Sequence, residues 1–170
     1  MEKPIKNSYW VVEGKFLAGE YPKDHLKELI EAGVKCFIDL TDNNRYSPYE
    51  DEAKELSNNN AEVHIFPVTD RSIPKSPEYT KKILDVIDKN IDKGGIVYIH
   101  CLAGIGRTGT IVGCWLGRHG YSGKDTLKKL NELWQDNPVS KYTEIPQTAP
   151  QCDYVKNWKE LEKERHIKNE

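Results

Sequence analysis

One stretch constrains this chain more than any other: Ile96-Val97-Tyr98-Ile99-His100-Cys101-Leu102-Ala103-Gly104-Ile105-Gly106-Arg107-Thr108-Gly109-Thr110. Ile96–Ile99 are apolar and mostly β-branched or aromatic, the signature of a short buried strand. A glycine-rich turn follows, and Ile111, Val112, Cys114, Trp115 and Leu116 then continue as a strongly apolar helix. Strand, tight loop and helix N-terminus together build an anion site. Gly104, Gly106 and Gly109 allow unusual backbone angles and close approach, so successive N–H groups can face one anion. The helix adds its positive end at the same point.

The side chains of the loop narrow the chemistry. Cys101 stands where the strand ends, and Arg107 follows six positions later at the helix start. A cysteine aimed into a ring of N–H donors beside a guanidinium is in the setting where thiols ionise easily. A thiolate is a nucleophile, and arginine presents a planar fork that matches two phosphoryl oxygens. The spacing therefore points to attack on a phosphate monoester, with Leu102, Ala103, Gly104, Ile105, Gly106 and Arg107 cradling the phosphate.

Rival readings of the same residues fail on context. Gly104, Gly106 and Gly109 spell G-x-G-x-x-G after a strand, but a dinucleotide site needs another strand and an acidic residue about 20 positions on. Here Gly120-Tyr121-Ser122-Gly123 leads into another helical pattern, with Leu127, Leu130, Leu133 and Trp134. A Walker A loop needs Lys and then Ser or Thr after its last glycine, and Thr110 follows Gly109 directly. A purely structural cysteine would leave the three glycines and the helix start unexplained.

His100-Cys101-Leu102-Ala103-Gly104-Ile105-Gly106-Arg107-Thr108-Gly109 resembles the signature loop of the cysteine-dependent protein tyrosine phosphatases, and within them the compact dual-specificity-like branch. Phe16-Leu17-Ala18-Gly19-Glu20-Tyr21-Pro22 also resembles the opening hairpin of that branch. The resemblance implies Cys101 as nucleophile, Arg107 as phosphate clamp, Thr108 as a hydroxyl supporting the departing thiolate, and His100 as an orienting group behind the loop. It also implies an aspartic acid over the bound phosphate. Asp70, 31 residues before Cys101 on a loop with Pro74, is that candidate, with Asp39 and Asp42 in reserve. Such an acid protonates the leaving oxygen as the P–O bond breaks. Pro146-Gln147-Thr148, followed by Gln151, is similar to the family's glutamine-bearing loop, which makes Gln147 and Gln151 candidates for placing the hydrolytic water. Thr148 also reads as a helix cap. The acid precedes a mid-chain cysteine, the order of the large tyrosine and dual-specificity class rather than of the low-molecular-weight phosphatases or arsenate reductases. Neither a metal nor an organic cofactor is implied.

The rest of the chain supplies an α/β frame. Two short strands flank Glu13-Gly14-Lys15, a helix is expected over about Lys23–Ala32, and a strand over Val34–Leu40. A short helix over Tyr49–Asn58 and a strand over Glu62–Val68 follow. Tyr79, Ile83, Val86, Ile87 and Ile91 mark an amphipathic helix over Ser76–Asn90. Tyr154, Val155, Trp158 and Leu161 form the stripe of the last helix. The expectation is one α/β domain over residues 1–170, with a core from about 9 to 161. Its sheet should be mixed, mainly parallel and four- or five-stranded, with helices on both faces. Functional groups collect at the C-terminal edge of such sheets, so Arg45, Tyr46 and Arg71 are candidates for the pocket rim.

Composition excludes several partners. Hydrophobic residues are 37% and charged ones 31%, a globular rather than a disordered balance. With 25 basic against 27 acidic residues the net charge is −2, so no global basic field points to nucleic acid, and attraction for a phosphorylated protein or peptide must be local. No apolar run approaches about 18 residues, and Met1–Tyr21 holds no signal-peptide core, so neither a membrane nor export is indicated. Cys36, Cys101, Cys114 and Cys152 are scattered, without a C-x-x-C pair or zinc-ligand spacing, which suits reduced thiols in the cytoplasm. The expected activity is hydrolysis of phosphotyrosine, and of phosphoserine or phosphothreonine, through a phospho-cysteine. The alternatives are a lipid or inositol-phosphate phosphatase, disfavoured by the uncharged Leu102, Ala103 and Ile105, and a non-catalytic phospho-binding module, which would be expected to lack the cysteine or the arginine.

Overall fold

Alternation along three central strands decides how the chain packs. In β2 (Phe16–Gly19), β3 (Val34–Asp39) and β5 (Ile96–His100), successive side chains point to opposite faces. Phe16, Ala18, Cys36, Ile38, Val97 and Ile99 share one face, and Leu17, Phe37 and Tyr98 share the other. Both faces are apolar, so both must be covered by helices. The computed structural model describes residues 1–42, 46 and 48–160.

Five strands form one sheet in the order β1-β2-β5-β3-β4, with β1 at Ser8–Val12 and β4 at Glu62–Ile65. The β1–β2 hairpin is antiparallel, and β2–β5, β5–β3 and β3–β4 are parallel. Helices α1 (Leu26–Glu31) and α2 (Glu50–Leu56) cover the smaller core around Phe37 and Tyr98. Helices α3 (Pro77–Asp92), α4 (Gly106–Arg118) and α5 (Gly123–Leu133) cover the larger one, which includes Ile83, Ile87, Ile111, Val112, Leu130 and Trp134. Helix α6 (Ala149–Lys156) packs on α4 and α5.

Three expectations shift. The fourth strand stops at Ile65 rather than Val68 because Pro67 has no N–H to donate. The neighbours Phe66 and Val68 still donate to the Asp39 and Leu40 carbonyls, at 2.8 and 3.0 Å. The expected helix from Lys23 opens as a 3-10 turn over Lys23–His25 and becomes α-helical only at Leu26. The last helix runs earlier than its apolar stripe suggests. Thr148 caps it, Pro150 occupies its first turn, and it ends at Lys156, so Trp158 packs from beyond it and Leu161 lies outside the described residues.

Helix α4 is buried along Gly106–Leu116 and crosses the centre of the domain. Three glycines four residues apart make its close approach to α6 and to the segments on either side of α6 workable. A Cβ on Gly109 would stand 2.4 Å from Ile145 Cγ1, one on Gly113 2.5 Å from Val155 Cγ1, and one on Gly117 3.1 Å from Trp158 Cδ1. Gly109, first read as part of the anion loop, therefore serves packing behind it.

Candidate active site

The parallel strands β3, β4 and β5 release their C-terminal ends on one edge, and the site forms there. Residues 101–105 join β5 to α4. Gly104 takes a φ of 78°, and a Cβ there would meet the Gly19 carbonyl carbon and oxygen at 2.5 Å, so only glycine fits. The loop is fastened from both sides: Tyr21 N–H donates to the Leu102 carbonyl at 2.9 Å, and Leu40 N–H to the His100 carbonyl at 3.0 Å. Among the described residues no side chain caps the N-terminus of α4, which leaves its first N–H groups for an anion.

Cys101 is 3% exposed and Arg107 4%, at the two ends of this loop. Asp42 Oδ1 and the Val68 carbonyl accept from Arg107 Nη1, at 2.9 and 3.1 Å. Asp70 Oδ1 lies 3.5 Å from Arg107 Nη2. The acid candidate after β4 and the arginine after β5 are thus brought together, although 37 positions separate them in the chain. With Nη1 occupied, the edge formed by Nε and Nη2 is the part of the fork left to a phosphoryl group.

Behind the loop, His100 is fully buried. Its Nδ1 donates to the Cys101 carbonyl at 2.9 Å, and Tyr49 O–H donates to its Nε2 at 2.7 Å. Burial, aided by Arg107, holds the imidazole below its ordinary 6.5, against Asp39 and the Cys101 carbonyl. A neutral Nδ1–H tautomer fits both bonds. Among the described residues the buried Thr108 Oγ1 has no hydrogen-bond partner. Burial raises three thiols: Cys36 to about 12, Cys114 well above its ordinary value, and Cys152 above its own. All four cysteines are free.

The remaining candidates take varied places. Asp39 Oδ1 accepts from the amide and hydroxyl of Thr41, at 2.8 and 2.6 Å, so that carboxylate is engaged in its own turn. The ring of Tyr46 lies 5.1 Å from that of Tyr21, which in turn meets His100 edge-on at 5.2 Å. Arg71 is exposed beside Asp70, and Arg45 lies outside the described residues. Gln147 is exposed. Gln151 is fully buried, its Oε1 accepting from the Thr148 amide at 3.1 Å and its Nε2 donating to the Ser72 carbonyl at 3.1 Å.

Two contacts escaped the sequence reading. Asp42 stood only as a reserve acid, yet it is the nearest carboxylate on Arg107; its position just past a strand end was the available signal. Tyr49, read only as the start of a helix, supplies the hydroxyl on His100.

Among solved structures the fold recurs in Tk-PTP in its active form, with a TM-score of 0.72 and 24% identity over 88% of this chain and 94% of that one. That likeness concerns the fold. A cysteine and an arginine bracketing an uncapped helix start are what a cysteine phosphatase of the dual-specificity-like class requires. The match of residues 5–150 to the family described as PTP-SAK, "Swiss Army Knife protein, DSP-PTPase phosphatase domain", makes the assignment specific: the chain belongs to that family. Curated relatives include the putative tyrosine phosphatase 197R of Invertebrate iridescent virus 6, 29% identical over 83% of this chain and 49% of the relative. A second is the Arabidopsis thaliana phosphatidylinositol 3,4,5-trisphosphate 3-phosphatase and protein-tyrosine-phosphatase PTEN1, 27% identical over 88% of this chain and 37% of the relative. The chain spans about half or less of the length of these relatives. No helix among the described residues is long and apolar enough to cross a membrane.

Proposed function

We propose that this chain hydrolyses phosphate monoesters on phosphorylated proteins, phosphotyrosine first, through a phospho-cysteine. The placement of Cys101 and Arg107 at the two ends of one anion-receptive loop, with Asp70 3.5 Å from the guanidinium, carries this reading. The Cys101 thiolate attacks phosphorus in line and forms the S–P bond as the ester P–O bond breaks. The loop N–H groups and the Arg107 fork stabilise the equatorial oxygens, and Asp70 gives its proton to the departing oxygen. Water then attacks the phospho-cysteine, losing its proton to Asp70, and the S–P bond breaks to return thiolate and phosphate. Thr108 supports the departing sulfur, His100 orients the loop from behind, and Gln147 holds the water. Tyr46 and Arg71 sit at the rim. Residues 1–170 act as one phosphatase domain, and the chemistry needs no metal or organic cofactor.

The loop side chains favour proteins over inositol phosphates. Leu102, 47% exposed, and the uncharged Ala103 and Ile105 offer no cation to a second phosphate. A panel of phosphotyrosine, phosphoserine and phosphothreonine peptides beside inositol phosphates and phosphoinositide vesicles tests the reading, with Cys101→Ser as control. Turnover of peptides that vanishes in the variant supports it. Turnover confined to inositol phosphates or vesicles selects the lipid alternative. Binding of phosphopeptides without turnover selects the non-catalytic one.

A further inference from the structure

The turn that carries Asp70 is strained and then fastened from outside. Arg71, next in the chain, has a φ of 62°, in the left-handed region that non-glycine residues occupy only when their surroundings hold them there. The turn closes on itself through Ser72, whose N–H donates to the Thr69 carbonyl at 3.0 Å and whose Oγ donates to the Asp70 carbonyl at 3.4 Å. Asp70 Oδ1 reaches Arg107 Nη2 across 3.5 Å, while the Arg71 side chain is exposed. The start of α6 adds a second hold from outside. Thr148 Oγ1 donates to the Arg71 carbonyl at 3.4 Å, and Gln151 Nε2 donates to the Ser72 carbonyl at 3.1 Å. The same two residues close a reciprocal capping box, Thr148 Oγ1 accepting from the Gln151 amide at 3.3 Å and Gln151 Oε1 accepting from the Thr148 amide at 3.1 Å. A capping box alone would accept glutamate at this position, whereas a carboxylate has no N–H for the Ser72 carbonyl. The other side of the Gln151 amide faces Gly106, where a Cβ would lie 3.1 Å from both its nitrogen and its oxygen. Gln151 therefore stands, fully buried, between the first residue of α4 and the acid-bearing turn.

We propose that Gln151, with Thr148, is a positioning residue that clamps the Asp70 turn beside Arg107 for the first half-reaction, rather than an amide that holds the hydrolytic water. This rests on the phosphatase reading above. The clamp acts through backbone carbonyls of the two residues after Asp70, so its loss loosens the acid and leaves Cys101 and Arg107 in place. Reactions that need the acid most then suffer most.

The experiment compares Gln151→Met, Thr148→Val at the half-exposed cap, and Thr148→Ser, which keeps the hydroxyl. Amide hydrogen exchange at Asp70–Ile73 reads the clamp without reference to catalysis. Losing one such bond should speed exchange in the turn by about 3- to 10-fold while strands β3 and β5 keep wild-type protection. In kinetics, phosphoserine peptide should slow by a similar factor, an activated aryl phosphate should change little, and the alkaline limb of the pH–rate profile should weaken. Thr148→Ser should match the wild type. Unchanged exchange in the turn overturns the proposal. So does an aryl-product burst with phospho-cysteine accumulating, which would return Gln151 to the water, and so does an equal fall on every ester with exchange rising across the sheet. If the wild type hydrolyses no phosphate ester, the phosphatase reading falls on its own, and the exchange result still decides whether the clamp holds the turn.

Discussion

Arg107 carries one positive charge toward three protein oxygens, and their arrangement decides which part of it a phosphate can use. Asp42 and the Val68 carbonyl take Nη1, while the more exposed Asp70 stands farther off Nη2. Asp42→Ala removes a hydrogen bond to a charged group, an effect of about 1.5–3 kcal/mol, so kcat/KM should fall roughly 10- to 100-fold. Asp42→Asn, which keeps the acceptor, should fall less; steady-state kinetics on one phosphotyrosine peptide measures both. His100 predicts a pH effect on stability. Its folded value lies below its unfolded 6.5, so above that pH both states are neutral and nothing is lost. As pH falls below about 6.5 the unfolded chain takes up the proton first, and stability declines. Urea melts at pH 7.5 and 5.5 should show a smaller decline in His100→Asn than in the wild type. The three raised thiols predict selectivity of another kind. At pH 7, peroxide or iodoacetamide should modify Cys101 before Cys36, Cys114 or Cys152, and phosphate should protect it. Peptide mass spectrometry showing the others modified first would count against a specially activated nucleophile.

Helix α4 shows what a single element must satisfy at once: its first turn meets the loop after Cys101, and its glycine face receives α6 together with Ile145 before it and Trp158 after it. A Cβ on Gly113 would lie 2.5 and 2.7 Å from the two methyls of Val155. Gly113→Ala should therefore destabilise by about 1–3 kcal/mol in urea unfolding, and Val155→Ala in the same chain should recover part of that loss. This face also marks where sequence reading succeeded and where it stopped. The strands were legible because short runs such as Cys36-Phe37-Ile38 and Ile96-Val97-Tyr98-Ile99 are apolar and mostly β-branched or aromatic throughout, a pattern one chain displays by itself. The anion loop was legible because glycine, cysteine and arginine at those spacings share few other purposes. The role of Gly109 depends on Ile145, 36 residues away, and no local pattern reports that partner. The start of α6 was legible in the Thr148 cap, whereas its end at Lys156 was not, because the apolar stripe continues to Trp158 beyond the helix. Gln151 could be marked as polar and interesting, but its partner is the backbone of a distant turn, which leaves no trace in side-chain chemistry.

At the scale of the molecule, the order β1-β2-β5-β3-β4 explains why the site is where it is. Parallel neighbours β5, β3 and β4 end on one edge, so the segment after β3 brings Asp42, the segment after β4 brings Asp70, and the segment after β5 brings Cys101 and Arg107. Division of labour between those segments predicts how each substitution behaves. Asp70→Asn should slow phosphoserine peptides by something near 10²–10⁴-fold, slow activated aryl phosphates much less, and flatten the alkaline limb of the pH–rate profile. Equal slowing of all esters with that limb intact would shift the acid to Asp42 or Asp39. The most direct measurement of the central claim is an acid-quenched single turnover of a phosphotyrosine peptide, followed by peptide mapping for phosphate. The covalent account predicts a phosphate adduct on Cys101 that forms within the first turnover, decays as inorganic phosphate appears, and is absent from Cys101→Ser. Phosphate release at the full rate without any adduct on Cys101, or with the serine variant still turning over, would contradict it.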